Sequence, residues 1–219
     1  MNPKVIKWAR ERAGYSLEEM QKRFPKIRAW ETGRSKPDID ELERYAKATF
    51  IPFGLLFALK PPSYDIPLTD LRENKVKPKR PLLKAIYEAL TEMGKHKQSW
   101  PLSFVNSALS SYPPVDVIAK TKRDVFYHLS MKERLPELGV IVKEADFGQA
   151  TAFSLCSDME AIIVVKRSLS CNNKDFLIGF GFASLLLGRS ILTDAVLEKK
   201  PKARIAKWCY EVAEGLCSN

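Results

Sequence analysis

The stretch FLIGFGFASLLLG, Phe176 to Gly188, carries no charge over thirteen residues, in a chain where 28% of residues are charged. A bilayer span needs about 20 apolar residues, so the run is too short to cross a membrane. A secretory signal would sit at the N-terminus, and MNPKVIKWARERAGYS has charges where its apolar core should be. The run is expected inside a folded domain, as a buried helix, a buried strand or the remains of a site.

The rest of the composition fits a folded, basic chain. A length of 219 residues allows one large or two small domains with real cores. Hydrophobic residues make up 45% and aromatic residues 10%, which argues against disorder. With no targeting or membrane-spanning segment evident, a cytoplasmic location and no membrane partner are expected. Cys156, Cys171, Cys209 and Cys217 form no C-x-x-C pair, and His96 and His128 are the whole histidine supply. Free, buried thiols in a reducing compartment are the expectation, rather than zinc sites or disulfides. The formal net charge is +10, the electrostatic footprint of a partner that is a polyanion, most often nucleic acid.

The first sixty residues read as several short helices. Asn2 and Pro3 open one that Gly14 closes, and SLEE offers a capping box of Ser16 with Glu19. PKIRAWET ends at Gly33, Asp38 and Glu41 open a fourth helix, and Pro52 opens a fifth, PFGLLFAL. From Pro61 to Pro81 five prolines and a basic end predict an extended connector, in which Lys75, Lys77, Lys79 and Arg80 are candidates for phosphate contacts. Helices are expected in PLLKAIYEALTEMGK and VDVIAKTKRDVFYHLS. Three strands follow in GVIVKEADF, TAFSLCS and EAIIVVKRS, then the apolar run, then a last helix, KARIAKWCYEVAEGLCS.

ARERAGYSLEEM, AWETGRSKPDIDELERYAK and IPFGLLF, spread over Ile6 to Leu59, resemble the Xre family of helix-turn-helix domains. In that family the helix before E-x-G-x-x-x-P enters the DNA major groove, which admits one α-helix. The resemblance implies DNA contacts by Lys26, Arg28, Thr32, Arg34 and Lys36, with Trp30 in the core and Glu31 and Gly33 serving the cap and turn. The family usually has a few more residues between its second and third helices, whereas here Phe24 runs straight into PKIRAWE. A shortened turn is expected to change the angle of the third helix, and so to favour packing, dimerisation or partner binding over sequence-specific docking.

PPSYDIPLTDLR and LGVIVKEADFGQATAFSLCSDMEAIIVVKRSL, running into the apolar helix, are similar to the ImmA/IrrE family of zinc-metallopeptidase-like proteins. There the helix carries H-E-x-x-H, two histidines on one face for zinc and a glutamate that polarises the bound water. On that pattern Phe180 and Ser184 stand at the histidines, Gly181 at the glutamate and Ala206 or Lys207 at the third ligand, as degenerate metal-site positions.

The expected fold is therefore α+β. An all-α Xre-like domain takes residues 1–60, a proline-rich basic linker 61–81, and an inactive, zincin-like α+β domain 82–219. The expected function is a non-enzymatic, antitoxin-like regulator of bacterial or phage origin with no metal and no cofactor. It would bind its own promoter DNA through the first domain and a protein partner, such as a toxin, through the second. A homodimer is left open. A protein-binding module without specific DNA binding is the alternative, and a hydrolase with a relocated site the remaining one.

Overall fold

The computed structural model describes residues 1–62, 68–73, 75–95, 131–157 and 160–217. The chain divides into two compact units, Met1–Ile66 with Pro78–Tyr87, and Pro67–Lys77 with Glu88–Asn219. The fold is mixed α+β, with a helical first unit and a mixed sheet in the second.

In the first unit, α1 (Pro3–Arg12) begins where the Asn2 side chain accepts a hydrogen bond from the Lys4 backbone N–H at 2.9 Å, with Pro3 at the position that needs no donor. Gly14 follows it at a φ of +72°. The helices α2 (Leu17–Arg23) and α4 (Ile39–Thr49) each open on a reciprocal capping box, Ser16 with Glu19 and Asp38 with Glu41. Between them lies α3 (Ile27–Thr32), which stops at the left-handed Gly33. The expected fifth helix is a single 3-10 segment, Phe53–Phe57, because Pro52 before it and Ala58 after it are both extended. The core is built on Ile6, Met20, Ile27, Trp30, Tyr45, Ile51 and Leu56. Phe24, Trp30 and Tyr45 form an aromatic cluster with centroids 5.3–6.1 Å apart, and the Tyr45 hydroxyl donates to the Ile6 carbonyl at 2.8 Å. Aromatic pairs with such tilted and edge-on geometry stabilise beyond their area alone.

Among the described residues α5 (Arg80–Met93) and α6 (Met131–Glu137) come next in the sequence. The expected helix in VDVIAKTKRDVFYHLS, and both histidines, lie outside the described residues. α6 escaped the sequence reading because it has only seven residues and carries Pro136.

The sheet of the second unit runs β1 (Thr69–Asp70), β5 (Ile191–Thr193), β3 (Ala152–Cys156), β4 (Ala161–Lys166), β2 (Val140–Ala145). β3 is antiparallel to β4 and to β5, with Ser154 opposite Ile163 and Ile191, while β2 is parallel to β4 and β1 parallel to β5. The three expected strands are β2, β3 and β4. The short strands β1 and β5 were not legible at two and three residues. β1 lies within the stretch 61–81, so that stretch includes a piece of the sheet. Arg72 beside it is buried, its guanidinium held by both Asp70 carboxylate oxygens at 2.9 and 2.7 Å and by the carbonyls of Gln149 and Val76. Burying a charge is tolerable only with such full pairing.

The uncharged run is a buried helix. α7 (Cys171–Leu186) is covered without a break from Phe176 to Leu185, and α8 (Arg204–Cys217) packs beside it. A helix apolar all round belongs in an interior. Two glycines let its neighbours close in. A Cβ on Gly181 would stand 2.8 Å from Ile163 Cγ2 on β4, and one on Gly179 would stand 3.3 Å from Ala213 Cα on α8. The four cysteines are unbridged, but only Cys209 is buried, while Cys171 and Cys217 are exposed. Burial pushes the Cys209 thiol up to about 12, so it is inert at neutral pH. Among the described residues no helix is long and apolar enough to cross a membrane.

Candidate nucleic-acid interface

The turn between α2 and α3 consists of Phe24, Pro25 and Lys26. It closes because Phe24 is buried against Trp30 and Tyr45. Helix α3 is then anchored by one apolar edge, Ile27 and Trp30, both essentially inaccessible.

A second anchor is polar. Arg10 Nε donates to Glu31 Oε1 at 2.6 Å, and a second guanidinium nitrogen donates to Glu31 Oε2 at 3.0 Å. A third bond runs from Arg10 to the Tyr15 carbonyl at 2.9 Å. The Arg10 pKa is raised, first by the hydrogen bond to Glu31 and against the opposing effect of burial. Glu31 therefore locks α3 to α1, and the expected cap and turn role falls to Gly33 alone, at φ +75°. The sequence reading missed Arg10. The signal was there: Arg10 lies four residues after Ile6 and three before Ala13, on the apolar stripe of α1. A charge on a buried face requires a partner of opposite sign.

With Ile27, Trp30 and Glu31 turned inward, the outward side of α3 and the loop behind it carry Lys26, Arg28, Thr32, Arg34 and Lys36, all exposed. Arg28 and Thr32 are four apart on one helix face. Lys26 Nζ lies 3.4 Å from Glu41 Oε1, an exposed pair of the kind that contributes little to stability and gives way readily. The Thr32 hydroxyl donates to the Arg28 carbonyl at 2.8 Å. Glu18 at the start of α2 is held below the usual carboxylate range, first by its own backbone N–H and then by Ser16, with Arg28 adding a smaller attraction.

The basic end of the proline-rich stretch does not join this surface as one block. Lys75 and Lys77 go with the second unit, Lys79 and Arg80 with the first. Arg80 is also engaged: its guanidinium sits 3.6 Å from the Tyr15 ring centroid and donates to the Gly14 carbonyl at 2.6 Å. It is a brace at the end of α1, not a free phosphate ligand.

The four degenerate metal-site positions lie within the packed interior of the second unit. Phe180 and Ala206 belong to one core cluster. Gly181 faces Ile163. The Ser184 hydroxyl bonds to the Ser154 hydroxyl and the Gly181 carbonyl, both at 2.6 Å. Among the described residues no group of three or more His, Cys, Asp or Glu side chains is placed to hold a metal ion.

A comparison with known protein families matches residues 6–56 to the helix-turn-helix family, and the match points to a DNA-binding regulator. A search of curated proteins and of solved structures found no match. Residues 6–56, which hold the Arg10–Glu31 anchor and the exposed basic side of α3, are thus the part of the chain that matches the helix-turn-helix family.

Proposed function

We infer that the chain is a non-enzymatic, antitoxin-like regulator. Its first unit binds the promoter of its own gene, and its second binds a protein partner such as a toxin. The observation that carries the DNA half is the sidedness of α3. Ile27, Trp30 and its one carboxylate are turned inward, Arg28 and Thr32 are left outward, and Arg34 and Lys36 are exposed in the loop behind it. The size of a B-DNA major groove suits one such helix.

The second half rests on the likeness of the C-terminal sequence to ImmA/IrrE proteins. Phe180, Gly181, Ser184 and Ala206 bring no strong zinc ligand and no general base to the positions where that family carries them. Ser184 is tied to Ser154, and Gly181 is closed by Ile163. Such a domain serves by its surface rather than by catalysis, and a cytoplasmic regulator is the setting we assign.

The test has two arms. Footprinting on the DNA upstream of its own coding sequence should show a protected site. Expression of the adjacent reading frame alone should arrest growth, and co-expression of the full chain should restore it. Protection without growth rescue would leave a plain DNA-binding regulator. Rescue without protection would favour the protein-binding module, which the three-residue turn between α2 and α3 also suits.

A further inference from the structure

A threonine in a recognition surface can present either of two groups, a hydroxyl that donates and accepts hydrogen bonds or a methyl that makes apolar contact. In this chain the choice is made within the helix. The Thr32 hydroxyl hydrogen is directed at the Arg28 carbonyl at 2.8 Å, with the Ala29 carbonyl at 3.3 Å as a second acceptor. This is the back-bond to the carbonyl four residues earlier that a threonine hydroxyl makes within a helix. With its hydrogen committed to the helix, the hydroxyl no longer donates outward, and the methyl is the apolar group that this exposed side chain offers a ligand.

Four residues earlier on the same face stands Arg28, exposed and free of any short ion pair among the described residues. The other cations of the surface differ from it. Lys26 leans on Glu41, and Arg34 and Lys36 lie beyond the left-handed Gly33, off the helix. The face of α3 that a groove would meet first is therefore one guanidinium and one methyl. Four residues of α-helix advance about 6 Å, close to two base-pair steps of about 3.4 Å.

We propose that Thr32 is a specificity-determining residue that reads a thymine through methyl–methyl contact, about two base-pair steps from a guanine read by Arg28. This rests on the DNA-binding reading above and deepens it. The thymine C5-methyl is the one apolar group on the major-groove floor, and Arg is the commonest reader of the guanine O6 and N7 acceptors.

The experiment uses the full chain and a randomised duplex pool from which bound sequences are selected. The enriched duplex is then remade with each thymine replaced singly by deoxyuridine, which removes only the methyl. One such replacement should weaken binding about fourfold, the worth of one buried methyl-sized group. Thr32→Val, which keeps a methyl there, should retain that sensitivity. Thr32→Ser, which keeps only the hydroxyl, should bind the thymine and deoxyuridine duplexes alike. Tight binding that is indifferent to every replacement would overturn the assignment and leave the DNA reading standing. So would a Thr32→Val variant that loses selectivity while Thr32→Ser keeps it. Failure to enrich any duplex at low salt would overturn both.

Discussion

Arg10 on α1 grips both carboxylate oxygens of Glu31 on α3, and each side chain is only 8% exposed. The pair fixes the helix that carries the outward basic side chains. Removing one partner leaves a buried charge without compensation, which costs about 3–5 kcal/mol in comparable cases. Glu31→Ala and Arg10→Ala should each lower the thermal midpoint of the first unit sharply. The double variant Arg10→Met with Glu31→Leu should recover most of it. A double variant as unstable as either single one would show that the pair acts through something other than charge burial.

Gly181 should tolerate no side chain. Its Cβ would fall 2.8 Å from Ile163 Cγ2, and overpacking of this kind costs roughly 1–3 kcal/mol. Gly181→Ala should destabilise the second unit, and adding Ile163→Ala, which removes the opposing methyl, should make the pair less harmful than the sum of its parts. Simple additivity in urea denaturation would argue that the backbone shifts to make room.

These two sites show what was legible in sequence. The capping boxes at Ser16 and Asp38 could be read directly, because a cap is a local pattern with fixed spacing. Phe176–Leu185 could be read as buried, although the uncharged run continues to the exposed Gly188, and the outward residues of α3 could be placed by their spacing from Ile27 and Trp30. The Arg10–Glu31 bond joins residues twenty-one apart, and Arg72 reaches the Gln149 carbonyl across seventy-seven. No periodicity encodes such pairings. The strands β1 and β5 are too short to show an alternation, and they exist because β3 offers β5 a partner and β5 in turn offers one to β1.

Asp70 gives the second unit an acid sensitivity. Burial alone would raise its pKa, but hydrogen bonds from Arg72 outweigh that and hold it below the usual carboxylate value. A lowered folded-state pKa means stability that is complete above the unfolded value near pH 4 and is lost as pH falls through the folded one. The thermal midpoint of the wild-type chain should fall as pH drops below about 4. Asp70→Asn should begin lower at neutral pH and show a shallower fall, as measured by melting across that pH range.

Zinc content tests the degenerate site. Phe180, Gly181, Ser184 and Ala206 offer no strong zinc ligand, so purified protein should carry well under one zinc per chain by elemental analysis. A stoichiometric ion, or cleavage of a peptide substrate inhibited by a chelator, would show a ligand set elsewhere in the chain.

The most direct measurement is a titration of the upstream duplex, and of a scrambled duplex, at several salt concentrations. Three phosphates neutralised by Lys26, Arg34 and Lys36 should give log K a slope of about −2.7 against log salt. Each of these residues changed to alanine should reduce the slope by about one and weaken both duplexes alike. Arg28→Ala should cost roughly 1–3 kcal/mol on the upstream duplex alone. Arg80→Ala should leave the slope unchanged, since that guanidinium is held against Tyr15. Tight, salt-sensitive and sequence-selective binding with this pattern is the expected result. Equal affinity for the scrambled duplex, or no binding at low salt, would contradict a sequence-reading role for α3.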